Sequence, residues 1–157
     1  WSPLVDVDVH NGLLSVVAGS HRLNTKPRGL LNDFPYGDLL PILQRHYLTP
    51  VPLRAGQAIV YDQRLFHCSP VNQTAAERVA TAALILPQTS RLRYYHRDFQ
   101  SPSQSLEIFE VDDEFYTRLS IGARPAGLQP IGRVDCEFSP LTAADLEVLL
   151  GAPALVG

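Results

Sequence analysis

Two side chains invite a chemical reading before anything else. His67 sits in Leu65-Phe66-His67-Cys68-Ser69, an apolar run that would otherwise be core. An imidazole there is a candidate metal ligand or acid–base group, although a lone histidine on a strand is more often structural. Eleven residues later, Arg78 opens the next apolar run, which extends to Leu86. A guanidinium at the mouth of a buried strand needs a partner, and a carboxylate held bidentately is the natural one. No acidic residue follows Arg78 until Asp98, and its neighbour Glu77 points to the other face of a strand. The expected partner is therefore a ligand. If both residues face one interior from neighbouring antiparallel strands, a metal-bound imidazole lies near an anion-binding guanidinium.

Other polar residues read more plainly. Asp6, Asp8 and His10 are close in sequence but run into the Asn11-Gly12 turn, so they are expected on a solvent face. His21 is expected to be structural or to support a ligand from behind. His46 and His96 are expected at the surface, in a helix and on an edge strand. Asp62 could orient a histidine N–H or cap a turn. Arg91, Arg93, His96 and Arg97 make one stretch locally basic, which reads as a solvated face.

The elements that must position these residues are short. Thirteen prolines, many clustered, argue against long helices. Trp1 to Val9 nearly alternates apolar and acidic residues, as a half-buried strand does, and Asn11-Gly12 is a hairpin signal leading into Leu13 to Val17. Further strands are expected at Val51 to Leu53, Gln57 to Tyr61, Leu65 to Cys68, Arg78 to Leu86, Leu92 to His96 and Leu106 to Val111. Leu39, Leu40, Leu43 and Tyr47 recur at helical spacing, with Pro41 in the first turn. Residues 22–37 form a Pro/Gly-rich loop of the kind that binds ligands. Towards the end, Asp112 caps a short helix carrying Phe115, Tyr116 and Leu119, and residues 124–134 read as a connection. Thr142-Ala143-Ala144-Asp145 opens a last helix carrying Leu146, Leu149 and Leu150. Seven or eight short strands with turns between them predict a mainly β domain, a sandwich or barrel.

Composition narrows the function. The chain has 157 residues, 45% apolar and 18% charged, which suits one packed domain. A net charge of −3 disfavours nucleic acid as a partner. No stretch approaches a membrane span. Two cysteines cannot build a disulfide scaffold and read as reduced thiols, predicting a cytoplasmic protein. The chain starts at Trp1 and contains no Met, so the expectation is a processed chain or a piece of a longer one.

An ordered set of segments resembles the phytanoyl-CoA dioxygenase family. These are Trp1-Ser2-Pro3-Leu4-Val5-Asp6, Asn11 through Arg22 with its Gly19-Ser20-His21, Gly56 through Asp62, His67-Cys68-Ser69-Pro70-Val71-Asn72, and Arg78. The resemblance runs from Trp1 to about Pro87. It implies a double-stranded β-helix, or jelly roll, with short flanking helices: strands over residues 1–111 and a helical extension over 112–157 in one domain. It also implies an iron(II)- and 2-oxoglutarate-dependent dioxygenase that hydroxylates a small organic molecule with O2. In that family a His-x-Asp pair and a distant second His hold the iron. His67 matches the distal ligand, and Arg78 matches the anchor of the far carboxylate of 2-oxoglutarate. Ser69 matches a hydroxyl that assists this anchor. Trp1 matches an aromatic beside the co-substrate in some members, or else packs in the core.

The resemblance also implies what is missing. The His-x-Asp pair belongs ahead of the Trp1 strand, so these residues supply one iron ligand of three. The jelly roll is then incomplete at its N-terminal side, and the 157 residues alone are expected to be inactive. Whether the parent hydroxylates or halogenates depends on the same missing carboxylate. The alternative is a non-catalytic, cupin-like jelly-roll module in which His67 is structural and Arg78 captures some other small carboxylate.

Overall fold

The first three residues of the chain are held from two sides. In a computed structural model describing residues 1–151 except 24, 30–33, 35, 99–104 and 119–121, β1 (Ser2–Pro3) pairs antiparallel with β5 (Ala80–Thr81). On the other side, Trp1 and Ile59 exchange backbone hydrogen bonds, each at 3.0 Å. The described residues fall into two compact units. One comprises Trp1–Thr25, Asp38–Ile85 and Leu141–Gly157, the other Lys26–Gly37 and Leu86–Pro140.

In the first unit a second sheet is centred on β2 (Leu14–Val17), which is apolar and largely buried. It takes β3 (Leu48–Val51) on one side, with Leu14 opposite Val51 and Val17 opposite Leu48. On the other side it takes β4 (His67–Cys68), with Val16 opposite His67 and Ser15 opposite Cys68. Burial follows the apolar residues of these elements: Val7, Leu13, Leu14, Val17, Leu43 and Phe66 are all nearly inaccessible.

The expected strand from Trp1 to Val9 and its hairpin are not formed as such. The turn is present, but Val7 bridges to Leu53 rather than to β2. The reason is local. Gly12 has φ +87° while Asn11 stays at negative φ, so the two-residue hairpin turn that needs both positive does not arise. Asp8 instead caps the turn, its Oδ1 accepting the N–H of His10 at 2.8 Å and of Asn11 at 3.2 Å. The helix expected near Leu43 does form. Pro41 lies in the first turn of α1 (Leu40–Ile42), which continues as a π-helical turn, Leu43–Tyr47. The last helix, α3 (Ala143–Leu150), starts from a complete capping box: the Asp145 N–H donates to Thr142 Oγ1, and Asp145 accepts from the Thr142 N–H.

The second unit carries an antiparallel meander of β6 (Arg93–Arg97), β7 (Ser105–Glu110) and β8 (Gly132–Asp135). β8 begins inside the stretch 124–134 expected to be a connection and runs one residue past it. The helix α2 (Asp113–Arg118) starts where Asp112 accepts the Phe115 N–H at 2.9 Å. Leu119, expected on it, lies outside the described residues. His96 corrects the surface expectation. It is 8% exposed, stacked against Tyr94 at 6.3 Å, and so buried despite its place on an edge strand.

The structure is thus β-rich with few helices. Its described strands lie in three small sheets and do not close into a barrel. No helix of the described residues is long and apolar enough to cross a membrane.

Candidate functional site

His67 is placed by a buried hydroxyl. Ser20 is fully buried, and its Oγ accepts the Phe66 N–H at 2.7 Å. The Phe66 carbonyl in turn accepts from the Val17 N–H at 2.9 Å. The residue before His67 is therefore bonded through both backbone groups. Ser20 reaches that position because Gly19 adopts φ +81°, turning the chain sharply as β2 ends. The serine of the Gly19-Ser20-His21 segment is not among the site residues expected from sequence. A small hydroxyl directly after a left-handed glycine at the end of an apolar strand was the available signal.

The imidazole is exposed, and its Nδ1 lies 2.7 Å from the Leu65 carbonyl oxygen. A carbonyl only accepts, so Nδ1 carries a proton, and in the neutral ring Nε2 presents a lone pair. This is how metal-binding histidines are commonly oriented, and it leaves one nitrogen available for a ligand bond. The Tyr61 ring flanks the imidazole at 5.0 Å between centroids. Asp62 caps the turn leading into this strand, and its hydrogen bonds go to Arg64 rather than to His67. Its carboxylate accepts from the Arg64 N–H at 2.8 Å and from the Arg64 guanidinium at 2.9 and 2.7 Å. Those hydrogen bonds hold the Asp62 carboxyl well below the usual carboxylate range, with a smaller contribution from the charge of His21.

Arg78 is half-buried, and its guanidinium carbon lies 5.5 Å from the centre of the Trp1 ring. This is cation–π geometry. Among the described residues no carboxylate pairs with Arg78. Trp1 is fixed in turn by its two bonds to Ile59. Ser69 lies just past the end of β4 and is exposed.

His67 and Arg78 do not sit on neighbouring strands, contrary to the sequence expectation. β4 pairs with β2, whereas the strand entered after Arg78 pairs with β1. The intervening loop carries the chain from one sheet to the other. It is held by Asn72, which donates to the Ala76 carbonyl at 2.7 Å and accepts from the Thr74 N–H at 2.9 Å. The structure brings Trp1 to Arg78 and Tyr61 to His67.

The donor set fits one metal ligand, not a closed site. Among the described residues no group of three or more His, Cys, Asp or Glu side chains converges. Asp6 and Asp8 are engaged in turn capping, with Asp6 accepting the Ala55 N–H at 2.8 Å. Cys68 is exposed and Cys136 buried, and neither is in a disulfide.

Residues 1–80 match the family described as phytanoyl-CoA dioxygenase (PhyH), which is just over half of the chain. No curated protein and no solved structure matches it.

Proposed function

The chain belongs to the phytanoyl-CoA dioxygenase family, and on that premise we propose that it carries the distal histidine and the co-substrate anchor of an iron(II)- and 2-oxoglutarate-dependent oxygenase acting on a small organic molecule. The observation that carries this reading is Arg78: a half-buried guanidinium stacked on an indole, with no described carboxylate to neutralise it. Such a group is ready to grip a carboxylate ligand bidentately. Trp1 limits its motion and shields one face from water, and Ser69 adds a hydroxyl. His67 offers Nε2 as a single iron ligand, its ring held by the Leu65 carbonyl. When bound, iron with 2-oxoglutarate supplies oxygen activation for C–H hydroxylation. The protein's share is to orient the co-substrate and exclude water.

With one donor of the facial triad among these residues, this reading requires a His-x-Asp pair contributed from outside residues 1–157. It therefore expects no turnover from them alone. The jelly roll and the cytoplasmic location belong to the same proposal.

A second reading rests on the same Arg78 geometry: a module that binds a small carboxylate without catalysis. One experiment addresses both. Trp1 is the only tryptophan, so its fluorescence reports directly on the Arg78 environment. Titration with 2-oxoglutarate is expected to change that fluorescence saturably, and Arg78→Ala is expected to weaken binding by roughly 10–100-fold, the loss of a charge-assisted pair. An Arg78→Ala affinity equal to the wild type overturns the anchor in both readings. Succinate formation by a longer polypeptide that supplies a His-x-Asp pair separates them, since only the oxygenase produces it.

A further inference from the structure

Asn11 is held at both ends of its side-chain amide. Its Oδ1 accepts the Asp8 N–H at 2.9 Å, and its Nδ2 donates to the Asp6 carbonyl at 2.7 Å. The turn closed in this way is joined to a second segment. The His10 carbonyl accepts the Gln73 N–H at 2.8 Å, and Gly12 lies so near Pro70 that a Cβ on it would be 3.0 Å from the Pro70 carbonyl oxygen. Residues 70–77 are the loop that leads from β4, with His67, to Arg78. One side-chain amide thus closes the turn on which that loop rests.

The same amide has a reactive neighbour. Asn11 is followed by glycine, unlike Asn24, Asn32 and Asn72. Glycine puts no side chain in the way when its nitrogen approaches the asparagine Cγ. The Gly12 N–H donates to no acceptor among the described residues, so this nitrogen is not tied up. We propose that Asn11-Gly12 is a deamidation site and that its conversion releases the 70–77 loop. The Gly12 nitrogen bonds to Asn11 Cγ and gives up its proton, the Cγ–Nδ2 bond breaks, and ammonia leaves with that proton. Water then opens the cyclic imide to aspartate or isoaspartate, with no change of oxidation state. Neither product closes the turn again. Aspartate presents an anionic oxygen where Nδ2 donated to the Asp6 carbonyl, close to the Asp8 carboxylate that accepts the Asn11 N–H at 3.2 Å. Isoaspartate adds a carbon to the backbone. The hydrogen bonds of the closed turn oppose ring closure, because the amide has to leave both partners before Cγ can meet the nitrogen. Conversion therefore follows opening of the turn, and it is irreversible.

Peptide mapping by mass spectrometry follows Asn11 in the 157-residue chain at mildly alkaline pH, folded and in urea. In urea Asn11 is expected to convert faster than Asn24, Asn32 and Asn72. In the folded chain it is expected to convert more slowly than in urea by roughly tenfold or more, in proportion to how seldom the turn opens. Amide exchange reads the loop. Asn11→Asp is expected to speed exchange at Gln73 by roughly tenfold or more, while Ile131, bonded to the Ile108 carbonyl in the other unit, keeps its rate. In an ageing wild-type sample, loss of protection at Gln73 is expected to keep step with Asn11 conversion, which tests the release without any substitution. Conversion of the folded chain at the urea rate overturns the proposal, as does no conversion at all. A converted chain whose Gln73 amide stays as protected as before also overturns it. Neither readout involves iron or 2-oxoglutarate, so the outcome is independent of the function proposed above.

Discussion

The hydroxyl of Ser20 and the backbone N–H of Phe66 meet at 2.7 Å in a site without solvent access, and this contact sets where the next residue, His67, can be. A buried N–H that loses its acceptor has no water to replace it. Ser20→Ala is therefore expected to lower stability by about 1–3 kcal/mol, seen as a lower midpoint in urea denaturation. A midpoint equal to wild type shows that Phe66 finds another acceptor and that Ser20 does not hold His67 in place.

His67 itself is exposed and contributes little to packing, so its replacement separates chemistry from folding. On the proposed function, in any longer polypeptide that supplies a His-x-Asp pair, His67→Ala is expected to abolish succinate formation. The response of Trp1 fluorescence to 2-oxoglutarate is expected to remain, because the proposed anchor for it is Arg78. Succinate formation at the wild-type rate would remove His67 from the ligand set.

Gly12 is required twice over. Its φ is +87°, and a Cβ there would lie 3.0 Å from the Pro70 carbonyl oxygen, a backbone atom that cannot swing away. Gly12→Ala is expected to cost at least about 1–2 kcal/mol from the left-handed conformation alone. Thermal unfolding checks this: a melting temperature at or above wild type contradicts it.

Glu107 bridges two cations, accepting from Arg124 at 2.8 Å and Arg133 at 3.3 Å. The Arg124 hydrogen bond first, then that from Arg133, holds its carboxyl below the ordinary value of 4.5. A depressed carboxylate stabilises the folded state fully above its unfolded pKa. That contribution is lost as pH falls from about that value through the folded one. Glu107→Gln is expected to flatten the pH dependence of stability in this acid range while leaving its slope near neutrality alone. Parallel curves for both proteins through the acid range would show that Glu107 does not contribute there.

Much of the outline was readable along the chain because it depends on neighbours in sequence. The Thr142 capping box, Pro41 in a first turn and the Asp112 cap are contacts within a few residues, and each forms as read. The candidate site residues were also nominated from sequence, since a guanidinium opening an apolar strand is conspicuous wherever it lies. Pairing was not readable. The Asn11-Gly12 signal identified the turn but not that Val7 would bridge to Leu53, and the Gly-rich stretch before Val134 concealed β8.

What residue types and local spacing determined here was which groups can do chemistry and where the chain must bend, since both depend on side-chain chemistry and on φ/ψ limits within a few residues. Only the tertiary structure decided that Ser20 would grip Phe66 across 46 positions, that Arg78 would lie over Trp1, and that His67 would enter a different sheet from Arg78. Those outcomes rest on which buried polar groups find partners and which apolar faces are covered, a competition among the whole set of segments that no single stretch encodes.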